Sequence, residues 1–331
     1  MKNKDLERIL DLMPGRHVLV IGDVMLDEYV WGNVKRISPE APVMVVEVER
    51  EGSTPGGATN VVHNIQALDG MASIIGVIGE DAAGQRLAQH LESAGVFIGG
   101  LVTDFNRPTT RKTRIIAQNQ QVVRVDRESR QKIGRKVLRK VTALIEEQVP
   151  QADIVVFSDY DKGMAAAQVA RTVIECARQC SKKVVINPKP RNAKQFKGAT
   201  VVSMNQSEAE AMTGIQISSE ARLRRAGRRI LQTLQPEHLV ITRGPQGMAL
   251  FSSDGKEELI PAHLVEVYDV AGAGDTVVGV LALALAAGST VYEAAVLANC
   301  AGGAVVRKAG VATVTRDEIR SMLDSERRTA L

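Results

Sequence analysis

The feature that most constrains this chain of 331 residues is a repeated change of hydrophobic period. Short apolar runs alternate with longer segments in which apolar residues recur every three to four positions. His17-Val-Leu-Val-Ile-Gly22 and Ala72-Ser-Ile-Ile-Gly-Val-Ile78 read as strands, as do residues 154–158, 183–187, 200–204 and 238–242. Residues 58–68 and 83–94 read as helices. A strand that is apolar without alternation is buried on both faces, and a parallel sheet covered by helices provides that environment. The predicted architecture is therefore α/β: a three-layer α/β/α sandwich around a central, mostly parallel sheet.

Two stretches break the rhythm, residues 28–49 and 109–127. Both are rich in β-branched residues and lack helical periodicity. Asn119-Gln120 suits the turn of a hairpin between Arg114-Ile-Ile-Ala117 and Val122-Val-Arg-Val125. We expect the two stretches to form one small β-sheet, a lid projecting from the main body. A hairpin packed flat on the core is the alternative. No repeat, low-complexity tract or linker divides the chain, so residues 1–331 are expected to form a single domain.

Composition excludes some functions. The net charge of +4 is a small excess, and aromatic residues are only 3%. Neither suits nucleic-acid binding, which uses basic surfaces and stacking platforms. Cys176, Cys180 and Cys300 read as buried thiols of a reducing compartment, and no His or Cys cluster completes a zinc site. No apolar window reaches the length of a membrane span, and the N-terminus lacks a signal pattern. A cytoplasmic enzyme of small molecules is expected, with no membrane or nucleic-acid partner.

Several glycine-containing turns then need a reading. Gly52 and Gly57 have P-loop spacing, but Ala58 and Thr59 stand where Lys and Ser or Thr are required. Neither Gly22-Asp23 nor Gly272-Ala273-Gly274 continues into the dinucleotide-binding pattern. Gly272-Ala273-Gly274 instead follows a β-like run, Leu264-Val-Glu-Val-Tyr268, and precedes an apolar helix expected over 276–287. Small residues there let a phosphate approach unpaired N–H groups at the helix start, an anion hole for a phosphoryl group in transfer. Asp275 could accept a proton from an attacking hydroxyl, or could simply favour the helix dipole. Asp23, Asp27, Gly56, Gly57 and Asn60 could hydrogen-bond sugar hydroxyls, or be ordinary turn residues. Asn205-Gln206-Ser207-Glu208 could organise the hydration shell of Mg²⁺, or cap a helix. Thr242-Arg243-Gly244-Pro-Gln-Gly247 suits a phosphate-wrapping loop or a plain turn.

In this order the motifs resemble the ribokinase-like (PfkB) sugar kinases, over almost the whole chain. The resemblance implies ATP and Mg²⁺ as cofactors and Asp275 as catalytic base. Gly272, Ala273 and Gly274 would form the anion hole. Asn205, Gln206, Ser207, Glu208, Thr242, Arg243, Gly244, Gly247 and Asn299 would serve the nucleotide, with Glu208 reaching the magnesium through water. The sugar would fall to Asp23, Asp27, Gly56, Gly57 and Asn60. Asp269 stands where many members bind a monovalent cation, although Ala271 replaces a hydroxyl ligand.

Within that family, four segments resemble the kinases of D-glycero-β-D-manno-heptose 7-phosphate: 108–114, 121–127, Ser158-Asp-Tyr-Asp-Lys-Gly163 and Asn187-Pro-Lys-Pro-Arg191. This implies phosphorylation of the anomeric hydroxyl on the route to ADP-heptose and lipopolysaccharide. Without the nucleotidyltransferase motif His-x-Gly-His after the kinase motifs, a stand-alone kinase with no C-terminal nucleotidyltransferase domain is expected. Arg107, Arg111, Lys112, Arg114 and Arg124 cluster in the expected lid, as a phosphorylated substrate requires, or as a solvated basic face does. We assign Arg111, Arg124, Asn187 and Lys189 to the sugar phosphate, while Lys162 could reach either phosphate. Another sugar, sugar phosphate or nucleoside as substrate, or a non-catalytic sugar-binding regulator, remains as alternative. A small lid exposes an apolar face, so a homodimer through the lid is expected.

Overall fold

The computed structural model describes residues 3–118, 120–129 and 131–329. Nine strands form one sheet, in the order β13-β12-β11-β10-β9-β8-β1-β4-β5. They are β1 (His17–Gly22), β4 (Met71–Gly79), β5 (Phe97–Asp104), β8 (Ile154–Ser158), β9 (Lys183–Asn187), β10 (Val201–Asn205), β11 (His238–Thr242), β12 (Met248–Ser252) and β13 (Glu257–Ile260). Pairing is parallel from β5 to β11 and antiparallel only at β12 and β13. Adjacent residues of each strand enter opposite layers. Val18 and Val20 pack with the helices Ala58–Gln66, Ala273–Ala286 and Val291–Val305, while Leu19 and Ile21 pack with Arg135–Gln148, Ala167–Gln179 and Glu220–Leu234. Two-sided burial explains why the strands carry unbroken apolar runs.

The other four strands form a second sheet, ordered β3-β2-β6-β7: β2 (Val24–Ile37), β3 (Met44–Gly57), β6 (Arg111–Ala117) and β7 (Gln120–Arg127). Here β2 pairs parallel with β6, and the other neighbours run antiparallel. This is a four-stranded sheet of its own, not a hairpin laid on the core. Its first hairpin is longer than the expected 28–49, because β2 leaves β1 directly at Asp23 and β3 runs on to the helix Ala58–Gln66. The expected hairpin turn includes Asn119, which lies outside the described residues; its neighbour Gln118 has a positive φ of 51°.

Three further expectations need correction. The run Leu264-Val-Glu-Val-Tyr268 is irregular, and Leu264 is 97% exposed. The segment does not pair with the edge strand β13; the backbone N–H groups of Tyr268 and Asp269 donate to the Val306 carbonyl instead. The helix expected over 276–287 begins earlier, at Ala273, which places Asp275 inside its first turn. Only Cys300 is buried; Cys176 and Cys180 are half-buried. No helix among the described residues is long and apolar enough to cross a membrane.

Candidate active site

The parallel register brings the candidate motifs to one edge. Gly22 lies beside Ser158, Ser158 beside Asn187, and Asn205 beside Thr242, all at the carboxyl ends of their strands. In open α/β sheets that edge is where ligands bind. The helix Ala273–Ala286 starts over this row, and Gly272 supplies its N-cap with φ 78°, a left-handed conformation that disfavours any side chain. Nothing approaches the space a Cβ on Gly274 would fill, so a ligand can come close to the helix start there, although the Ala273 N–H already donates to the Val270 carbonyl at 3.3 Å.

Asp275 is buried and meets two partners. The Tyr160 hydroxyl donates to both of its oxygens, at 2.6 and 2.8 Å, and Asn60 Nδ2 donates to Oδ2 at 3.1 Å. Burial pushes the Asp275 carboxyl up to about 6. Tyr160, Asn60 and the Lys189 ammonium pull the other way, and the neighbouring Asp27 adds to the rise. Such a carboxylate is ionised at neutral pH and still basic enough to take a proton. Asn60 keeps its Oδ1 buried without a partner, an acceptor able to receive a ligand hydroxyl.

Asp23, expected to hold sugar hydroxyls, has another occupation. Its two oxygens accept the backbone N–H groups of Tyr160, Lys162 and Met164 at 2.8–3.0 Å. Burial also raises this carboxyl to about 6, opposed by those same three bonds. The carboxylate thus anchors the loop 159–164. Asp159 secures the same loop, accepting from the backbone of Asp161 and Lys189 and from the Asn192 amide.

Strand parity decides which lid residues face the site. Asp27 stands beside Lys112 in the register, and Lys112 beside Asp126. Arg114 donates to Asp27 Oδ1 at 2.6 Å and stands opposite Arg124. Asp27, Lys112, Arg114 and Arg124 therefore share one face. Arg111, expected there, points the other way with Thr113 and lies 3.4 Å from Glu28, which also binds Arg86. The period of two along β6 makes neighbouring cations alternate. Arg124 is tied to Asp126 by two bonds, and Lys162 to Glu128. Gly56 and Gly57 close β3 beneath Asp27.

Lys189 bridges the two halves of the site. Its ammonium donates to Glu208 at 2.6 Å and lies 5.5 Å from the Tyr160 ring centroid. Asn187 is spent on the Ser203 carbonyl. Asn205 and Glu208 form a capping box on the helix Gln206–Thr213, so the helix-cap reading holds for this pair. A groove of about 510 Å³ runs beside them, lined by Gln206, Ser207, Thr242, Arg243 and Gly244 among others. Gly247 ends the same turn. Asn299, further along, donates to the Pro261 carbonyl. Asp269 accepts from the backbone of Ala271 and Gly310, joining two loops. No group of three His, Cys, Asp or Glu side chains able to hold a metal occurs among the described residues.

A phosphate-accessible helix start, a basic carboxylate beside it and a groove along the strand ends suit transfer of a phosphoryl group to an alcohol. The family profile described as pfkB family carbohydrate kinase matches residues 16–318. The chain belongs to this family. Bifunctional protein HldE of Desulfatibacillum aliphaticivorans is 43% identical over 317 residues, covering 96% of this chain and 65% of that protein. Its namesake in Geobacter metallireducens is 44% identical over 319 residues, with the same coverages of 96% and 65%. The chain thus spans a little under two thirds of these relatives. Among solved folds, phosphofructokinase-2 from Escherichia coli in complex with potassium superposes with a TM-score of 0.77 at 20% identity, covering 94% of this chain and 99% of that one. Arabidopsis thaliana ribokinase complexed with ribose and ATP gives 0.71 at 19%, covering 93% and 99%. The ribokinase-like fold is shared with these enzymes.

The site residue that sequence reasoning missed is Tyr160. It was visible only as part of a dense polar run, Ser158-Asp-Tyr-Asp-Lys-Gly163, following a buried strand. Lys112, too, was grouped with its neighbours until parity separated it from Arg111.

Proposed function

We propose that this carbohydrate kinase transfers the γ-phosphoryl group of ATP to the anomeric hydroxyl of D-glycero-β-D-manno-heptose 7-phosphate, giving the 1,7-bisphosphate used to make ADP-heptose for lipopolysaccharide. The single observation that carries the chemistry is Asp275, a buried carboxylate raised to about 6 in the first turn of a helix that keeps open space at Gly274. The specific sugar rests on the resemblance in the lid and the 158–163 and 187–191 segments, and on relatives that carry the name HldE.

In this reading Asp275 takes the proton of the anomeric hydroxyl as that oxygen attacks the γ-phosphorus. The N–H groups of Gly274 and Asp275 receive the developing charge, with Ala273 and Gly274 small enough to let it approach. Asp27 and Asn60 orient the sugar ring. Lys112, Arg114 and Arg124 face the substrate's own phosphate, while Arg111 acts only through Glu28. Asp23 serves the sugar indirectly, by fixing the loop 159–164. The groove beside Asn205, Gln206, Ser207, Thr242, Arg243, Gly244 and Gly247 takes the nucleotide phosphates, and Asn299 lies towards the base. Magnesium would be held by those phosphates and by water, with Glu208 as an outer partner, and would neutralise charge on the transferred group. Glu208 fits that place because its oxygens are already paired with Lys189 and the Asn205 N–H, leaving lone pairs for water. A monovalent cation would sit against Asp269, whose carboxylate joins its own loop at Ala271 to the later loop at Gly310.

The lid also supports a dimer. Val123 and Val125, on the face away from Asp27, are 45% and 53% exposed. A second copy covering them would bury that face, and light scattering at micromolar concentration reads the result directly. The chemistry is tested on the product: a new phosphorus signal coupled to the anomeric proton supports it, and phosphate at any other carbon refutes it.

A further inference from the structure

Tyr160 has no part in the scheme above, yet it makes the closest contact to its central residue. The loop that carries it is unusually fixed. One buried carboxylate, Asp23, uses both oxygens on three of its N–H groups, and a second, Asp159, holds it from the other side. Two cations flank the ring. Lys112 from the lid lies 5.9 Å from its centroid and Lys189 from the 187–191 loop lies 5.5 Å away. Such cations favour an aromatic face.

The phenol is an alcohol, and it donates to Asp275 at 2.6 and 2.8 Å. An acceptor hydroxyl must make the same contact, at about 2.6–3.2 Å, before it can lose its proton. Both carboxylate oxygens face this one O–H group and Asn60 Nδ2 takes a further place on Oδ2, so the phenol stands where an acceptor hydroxyl would approach, and a sugar hydroxyl that takes that place displaces it. Water faces the same obstacle and lacks the ring contacts with Asp27, Asn60 and Lys112 that a sugar would use. We propose that Tyr160 is a positioning residue for Asp275: its hydroxyl occupies the acceptor's place until the sugar arrives, keeping the base aimed and closed to water. The proposal rests on the reading of Asp275 as the proton acceptor.

Two consequences follow from removing that oxygen alone. A donor to the ionised carboxylate is lost, so Asp275 holds its proton more tightly. The remaining charged groups around the pair stay in place: Asp27 from β2, Lys112 from β6, Lys189 after β9 and Glu208 on the helix Gln206–Thr213. The base also opens to water. Hydrolysis then proceeds by a bond from the water oxygen to the γ-phosphorus and cleavage of the bond to the bridging oxygen. ADP leaves, inorganic phosphate forms, and Asp275 takes up one proton.

The test is Tyr160→Phe, which keeps the ring, the cation contacts and every backbone bond. The acidic limb of kcat/KM for the sugar should move up by about one pH unit. Hydrolysis of ATP without sugar should rise several-fold over the parent. An unshifted limb, or unchanged hydrolysis, overturns the proposal, because loss of packing alone would lower rates without moving the limb. Asp275→Asn run in parallel separates the two claims. If it turns over normally, the base assignment itself fails; if it is silent while the Phe variant keeps the parental limb, only the role of Tyr160 fails.

Discussion

Gly56→Ala isolates the proposed sugar half of the site. Gly56 sits near the end of β3, and its φ is not positive, so the backbone accepts alanine. The obstacle is one carboxylate, with its Cγ at 2.8 Å as well as its Oδ2 in the way. A Cβ at this position would lie 2.0 Å from Asp27 Oδ2, where contacts below 3.0 Å are essentially never found, so the carboxylate must retreat by about 1 Å. Asp27 is buried, and its other oxygen is held by Arg114 at 2.6 Å, so it cannot retreat without pulling that pair. The moving group is the end of a side chain, which keeps the folding cost to about 1 kcal/mol. A misplacement of about 1 Å in a positioning group costs on the order of 100-fold in rate, or about 2.7 kcal/mol of transition-state stabilisation. Steady-state kinetics with each substrate varied should therefore show kcat/KM for the sugar falling about 100-fold, while KM for ATP stays within about two-fold and the melting temperature drops by only a few degrees. Parental sugar kinetics would refute the placement of Asp27 against the sugar. A comparable loss in KM for ATP would refute the division of the site.

Other outcomes follow from the same geometry. Asp275 and Asp23 both sit above the ordinary value of 3.8, at about 6, so the folded chain keeps protons that the unfolded chain releases between those limits. Their charges oppose folding fully above pH 6, and that opposition fades as the pH falls towards 4. Asp275→Asn should then melt about 1–3 °C higher at pH 7.5 and lose the gain near pH 4, as scanning calorimetry will show. Its turnover should be all but absent, and the parent's kcat/KM should fall below pH 6 as Asp275 protonates. Lys112→Met should raise KM for a phosphorylated sugar about 10-fold or more, whereas Arg111→Met, on the opposite face, should leave it within about two-fold. Equal effects of the two substitutions would contradict the parity argument.

The main sheet was legible because two-sided burial writes itself into a strand as an unbroken apolar run. His17–Gly22 and Ile154–Ser158 carry that mark, and their ends place the site. The lid was legible as β-structure but not in its facing. A row of cations such as Arg111, Lys112 and Arg114 has no apolar member to say which parity looks inward. Leu264-Val-Glu-Val-Tyr268 misled for the opposite reason: it has the apolar, β-branched content of a strand, but its backbone turns to the Val306 carbonyl rather than to the edge of the sheet. The paired carboxylates were harder still. Asp23 and Asp27 look alike in sequence, four positions apart after one strand. Only the fold shows that one is consumed by three backbone N–H groups while the other faces Lys112 and Arg114. Tyr160 carries no periodic signal, since its importance comes from Asp275, which lies 115 positions away.

The proposed substrate is D-glycero-β-D-manno-heptose 7-phosphate, selected over other sugars that also carry a distant phosphate. Release of ADP, measured with D-glycero-β-D-manno-heptose 7-phosphate beside fructose 6-phosphate at equal concentrations, tests it most directly. The account predicts a kcat/KM for the heptose phosphate at least about 100-fold higher, the discrimination expected of a site built around specific hydroxyl and phosphate contacts. Equal turnover of the two sugars, or a preference for fructose 6-phosphate, would contradict it.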